Sequence, residues 1–166
     1  MTDSKGPDST DAPSKRPRMI HLPSELGALF DQGDSIRNEV VGRDHVERSW
    51  SNVTPLTRPL QEMATSTAWG LIWGSDQLTR KERSILNLGI LSSLNRMNEF
   101  KVHVKGALNN GLKVEELSSI LCQIMVYSGA PAGLEAGRVA QVALDEWQEE
   151  RKRKREGEGE ESSQGK

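Results

Sequence analysis

The sequence predicts an all-α, compact multi-helix domain of about six helices, on three observations. Apolar residues recur at three- and four-residue spacings, residues that start and stop helices fall between those stripes, and no convincing alternating segment competes. A first helix is expected over about Ser35–Trp50. Thr54 followed by Pro55 reads as an N-cap and first-turn pair opening a segment that runs to about Trp73. Thr79-Arg80-Lys81-Glu82 is a capping box, and the helix behind it places Ile85, Leu88, Leu91 and Leu94 along one side. From Asn98 a helix is expected to bury Phe100, His103, Val104, Ala107 and Leu108 and to stop at Asn110-Gly111. Leu117, Ile120, Leu121 and Ile124 define the next, ended by Gly129. Pro131 starts the last, with Ala136, Val139, Ala140, Ala143 and Trp147 facing inward.

The chain has 166 residues, of which 34% are hydrophobic, and they are unevenly spread. Residues 1–18 hold only Met1 and Ala12 as apolar residues and 148–166 hold none. We therefore expect a packed domain over 19–147, a disordered N-terminal arm over 1–18 and a disordered charged tail over 148–166, because such arms bury too little to offset chain entropy. No run of about 18 apolar residues offers a membrane span, and the N-terminus has no apolar stretch of the secretory kind. A lone cysteine, Cys122, excludes an internal disulfide and suits a reducing compartment such as the cytoplasm. The net charge of −2 gives no field for recruiting nucleic acid. The basic runs Lys15-Arg16-Pro17-Arg18 and Arg151-Lys152-Arg153-Lys154-Arg155 are of a composition that serves nuclear import or polyanion contact, but solvated arms are the simpler reading.

Leu117–Tyr127 is apolar on nearly all sides near its end, which in so small a domain points to a second subunit and a homo-oligomer. Candidate chemistry is sparse. His103 lies inside an apolar stripe, where a polar group needs a partner. Glu99 lies one turn earlier with Arg96 beside it, a spacing that would raise the imidazole pKa and make a general acid. A packed core histidine is the plainer alternative. Trp69 and Trp73 at i, i+4 form either core or the wall of a ligand pocket. Tyr127-Ser128-Gly129-Ala130-Pro131 is a helix break whose amides could meet an anion, or a plain turn. His21 and His45 are read as incidental. No dithiol pair, glycine-rich nucleotide loop or spaced metal-ligand set is present, so neither metal nor cofactor is expected.

In order along the chain, Leu29-Phe30-Asp31-Gln32-Gly33, Arg37-Asn38-Glu39-Val40-Val41-Gly42, Ala68-Trp69-Gly70 with Trp73, Leu78-Thr79-Arg80-Lys81-Glu82-Arg83-Ser84, His103-Val104-Lys105-Gly106-Ala107-Leu108-Asn109-Asn110-Gly111 and Val126-Tyr127-Ser128-Gly129-Ala130-Pro131-Ala132 resemble the carboxymuconolactone decarboxylase family. The likeness is to its γ-carboxymuconolactone decarboxylase branch. The redox branch carries Cys-x-x-Cys-x-x-x-His and an upstream glutamate where this chain has Arg96, Glu99, His103 and Ser84. The resemblance implies an all-α fold assembled as a trimer or hexamer, and cofactor-free decarboxylation of a small cyclic or lactone carboxylic acid. On this reading His103 is the acid and Glu99 holds it. Trp69, Trp73, Arg96, Lys105, Tyr127 and Ser128 contact substrate. Ser66-Thr67, Ser75-Asp76-Gln77-Leu78 and Leu134 replace polar or charged family residues, which turns the expected substrate away from γ-carboxymuconolactone itself toward a larger, less charged molecule such as a secondary-metabolite intermediate, the pathway being of secondary-metabolite or aromatic-degradation type. Alternatives are an isomerase or rearrangement enzyme using the same pocket, or a non-catalytic scaffold.

Overall fold

The computed structural model describes residues 24–164, with side chains over 27–157; the N-terminal arm expected over 1–18 lies outside them. Among the described residues the protein is all-α: seven α-helices and one π-helix, with no strand. Helix α1 (Ser24–Val41) buries Phe30, Ile36, Val40 and Val41. The expected single helix over 35–50 is instead two, because Gly42 adopts φ +89°, a value that L side chains rarely adopt, and α2 (Arg43–Ser51) starts anew after it. Thr54 and Thr57 close a turn on each other, with the Thr54 amide donating to Thr57 Oγ1 at 3.0 Å. Helix α3 (Arg58–Ala64) therefore starts later than expected, with Pro59 rather than Pro55 in its first turn.

The chain then widens into a π-helix (Thr65–Ile72). Its backbone meets that of α1: a Cβ on Gly33 would overlap the Thr65 carbonyl oxygen, and one on Gly70 the Leu29 carbonyl oxygen. Only glycine at both positions permits this approach. Helix α4 (Arg80–Ser93) has the expected capping box, Thr79 N–H donating to Glu82 Oε2 at 2.7 Å and Glu82 N–H to Thr79 Oγ1 at 3.2 Å. Of its expected stripe, Leu88 is buried and Leu91 packs against the core, but Ile85 and Leu94 are exposed. Helix α5 (Met97–Asn109) ends before Gly111 at φ +85°, and α6 (Val114–Ser128) ends at Gly129 at φ +93°.

Helix α7 (Ala130–Gln164) buries Ala136, Ala140, Ala143 and Leu144 and packs Trp147 against them. Packing stops there, since every side chain over 148–157 is exposed, whereas helical hydrogen bonding continues through the segment expected as tail. The Arg151 guanidinium covers the Trp147 ring at 4.7 Å, and Lys105 pairs with Glu150 at 2.8 Å.

Two apolar clusters result. One joins Leu88, Phe100, Val104, Leu108, Leu117 and the α7 alanines; the other joins Ile36, Val40, Val41, Val46 and Trp73, with Trp50, Trp69 and Val102 at its edge. Helix α5 contributes to both, and His103 sits on it between them.

Candidate active site

The π-helix and the residue that caps its end carry the two indoles of this site, Trp69 and Trp73. Trp73 N–H bonds to Ala68 O at 2.9 Å, an i to i+5 step that belongs to the wider turn. The two rings stack at 5.0 Å. Helix α5 lays the His103 imidazole against both, parallel to Trp69 at 5.9 Å and tilted 30° to Trp73 at 6.2 Å. Trp69, Trp73 and His103, far apart in sequence, thus form one aromatic cluster.

The expected Glu99–His103 bond is not made. Glu99 is exposed, and His103 Nδ1 is buried with no hydrogen-bond partner. Consequently the imidazole pKa moves opposite to the sequence expectation, down to about 4. Burial is the main cause and the nearby His45 adds to it; Glu99 opposes through its charge and does not prevail. At neutral pH His103 is therefore an uncharged ring.

The other candidates lie elsewhere. Arg96 precedes α5, exposed, its backbone N–H bonded to Leu91 O at 2.8 Å. Lys105 is occupied by Glu146 at 2.9 Å and Glu150 at 2.8 Å. Tyr127 and Ser128 line an apolar groove of about 580 Å³ between α4 and α6, where Ser128 Oγ shares a hydrogen bond with Ser93 Oγ at 2.7 Å. That groove is lined by none of Trp69, Trp73 and His103.

Sequence reasoning missed three features. His45, read as incidental, approaches His103 closely enough to act on its charge, and is itself held below the ordinary histidine range by burial and by Arg37, Arg48 and Lys105. Buried Arg37 donates to Ser49 Oγ at 2.9 Å, and fully buried Glu62 takes Arg58 Nε at 3.1 Å. Buried Arg83 donates to the carbonyl and hydroxyl of Ser75, both at 3.0 Å, fixing the loop after Trp73. The only signal for these was charge standing inside otherwise helical apolar periodicity. Ser84, at the redox branch's acid position, is buried, donates to Arg80 O at 2.9 Å and accepts from Asn110 at 3.0 Å.

Residues 58–142 match the carboxymuconolactone decarboxylase family. The chain is 39% identical over 118 residues, 71% of its length and 82% of the relative's, to nitrosuccinic acid decarboxylase of Metarhizium robertsii. It is 32% identical over 112 residues, 68% of its length and 84% of the relative's, to 4-carboxymuconolactone decarboxylase of Acinetobacter baylyi. Both relatives bear the names of decarboxylases, and the all-α fold is the one the resemblance anticipates. The chain is an enzyme of this kind and belongs to the carboxymuconolactone decarboxylase family.

Proposed function

We propose that the chain removes carbon dioxide, without a cofactor, from a small carboxylic acid whose α or vinylogous substituent accepts the electron pair left behind. Nitrosuccinate and a carboxylated unsaturated lactone, the acids named for the relatives, share that property: a nitro group or a lactone carbonyl can take the negative charge. The C–CO2 bond breaks, its electrons delocalise onto oxygen, and a proton must then reach carbon. His103 is the proton carrier in this reading. The observation that carries it is a half-buried, uncharged imidazole whose Nδ1 is buried without a hydrogen-bond partner, faced by two indoles. A substrate carboxylate set beside it raises its proton affinity, so the ring takes up a proton on binding and delivers it after carbon dioxide leaves. Glu99 acts only through its field, favouring the charged ring. The indoles exclude water from the breaking bond.

We place this enzyme in the cytoplasm, in aromatic degradation or secondary metabolism, and as a homo-oligomer, trimer or hexamer. Support for assembly is the row of exposed Leu86, Ile90, Leu94 and Tyr127 lining the α4–α6 groove, with Tyr127 84% exposed. Among the described residues no helix is long and apolar enough to cross a membrane.

The test is carbon dioxide release by the full chain from nitrosuccinate and from 4-carboxymuconolactone, with succinate as an unactivated control. His103→Gln should lower turnover by at least ~10²-fold, the usual worth of a general acid or base. Undiminished turnover in that variant removes His103 from the reaction. An isomeric product without carbon dioxide would instead favour the rearrangement reading.

A further inference from the structure

Trp73 stands at the end of the π-helix, where the chain turns through residues 74–78 toward α4. Its backbone is held from behind. Trp73 N–H bonds to Ala68 O at 2.9 Å, Gly74 N–H to Gly70 O at 3.2 Å and Ser75 N–H to Ile72 O at 3.3 Å. Ahead of it little is fixed. Among the described residues Asp76, Gln77 and Leu78 make no backbone–backbone hydrogen bond, and the Gln77 side chain meets only its neighbours Ser75 and Asp76. A cleft of about 550 Å³ beside α1 has both Trp73 and Ser75 in its wall, so open space adjoins the indole on that side.

One side chain spans this gap. Arg83 lies one turn inside α4, aimed by the Thr79–Glu82 capping box that sets the start of that helix. It reaches back to Ser75, where Nη2 donates to the carbonyl and to the hydroxyl, both at 3.0 Å. The guanidinium is buried, pairs with no carboxylate among the described residues, and leaves Nε buried without a hydrogen-bond partner. Burying a cation with no counter-charge is costly. A neutral amide would bridge helix and loop without that penalty, so the charge itself has a use. It lies against the carbonyl end of the π-helix, where aligned peptide dipoles favour a cation. The rigid planar fork then sets the position of Ser75 as well as its proximity.

We propose that Arg83 is a positioning residue: by gripping Ser75 it fixes the end of the π-helix, and with it the Trp73 ring against which the imidazole of His103 lies. This rests on the decarboxylase reading above, which places the reaction at that imidazole. Trp73 is two residues from the tether, and its ring is 6.2 Å from that of His103. Released, the loop swings into the cleft, the rings part and water reaches the imidazole.

The experiment compares the full chain with Arg83→Gln and Arg83→Lys, reading kcat for whichever of nitrosuccinate and 4-carboxymuconolactone is decarboxylated, and the titration of the His103 resonances. Arg83→Gln should lower kcat at least about tenfold, as misplacement near a reacting group does, with a smaller change in KM. The His103 midpoint, about 4 in the wild type, should rise above about 5 as the ring is hydrated. Arg83→Lys, which keeps the charge but not the fork, should recover part of both. Arg80→Gln, on the same helix but paired with Glu39 at the surface, should change neither. A folded Arg83→Gln with kcat and midpoint unchanged overturns the proposal. So do Gly74 and Ser75 amides that exchange with solvent as fast as unstructured chain in the wild type, a measurement that stands even if both variants fail to fold. Neither titration nor exchange needs a substrate, which separates the two claims. A raised midpoint in Arg83→Gln without carbon dioxide release by the wild type refutes only the reaction, and release with Arg83→Gln unaltered refutes only the tether.

Discussion

At the scale of a residue, the proposed chemistry rests on the balance between burial and charge at one imidazole. Burial lowers the His103 pKa to about 4 from an ordinary value near 6.5, so the folded chain binds its proton more weakly than the unfolded chain does. The sign follows from linkage: the unfolded state takes up the extra proton between these values, so the stabilisation is complete above about pH 6.5 and is lost as pH falls toward 4. Its size is of order 3 kcal/mol. We expect His103→Gln to flatten the acid limb of stability against pH, measured by denaturant unfolding at pH 7 and pH 4.5; an unchanged limb would show that the ring is not desolvated in solution. Glu99→Gln should reduce turnover several-fold less than His103→Gln, since the carboxylate makes no bond to the ring. The unusual placement of His103 was legible in the sequence because a polar residue broke an apolar stripe. Its partner was not, because i, i+4 spacing brings Glu99 near without directing it at the ring, and the groups that do surround it, Trp69, Trp73 and His45, arrive from other helices.

At the scale of an element, helix limits were legible wherever a local rule fixed them. The Thr79–Glu82 capping box and the turns at Gly111 and Gly129 stand where their chemistry places them. The failures have local causes too. Gly42 breaks one expected helix into two, and the Thr54–Thr57 turn delays α3 to Arg58. The π turn left no mark that periodicity could detect, since one wider turn shifts the apolar pattern by less than its own irregularity. Its cost is offset by the contact with α1, so Gly33→Ala and Gly70→Ala should each destabilise by about 1–3 kcal/mol or more, the usual penalty of overpacking against a partner unable to yield. Gly137→Ala, with nothing within 4 Å of its added carbon, should be neutral or stabilising by up to about 1 kcal/mol. Chemical denaturation of the three variants checks both signs, and a harmless Gly70→Ala would mean that the close approach of α1 and the π-helix does not exist.

At the scale of the whole molecule, the all-α class and the end of packing at Trp147 were readable from composition and spacing, whereas the separation of Tyr127 and Ser128 from the imidazole was not, because it depends on which helices cross. The exposed apolar groove between α4 and α6 should be covered in solution. Sedimentation should give a mass several times 18.4 kDa, and Tyr127→Glu with Leu86→Glu should reduce it toward one chain while leaving far-ultraviolet circular dichroism intact; a wild-type monomer would remove the assembly from the proposal. Helix α5 has a further consequence, since Phe100 and Val104 face one apolar cluster while Val102 faces the other. Neither half can loosen without tilting the rod that both grip. Melting followed by indole emission, from Trp50, Trp69 and Trp73 at one cluster and Trp147 at the other, should then coincide with melting followed by backbone signal, and a substitution distant from the aromatic stack should still retune how tightly the His103 ring holds its proton.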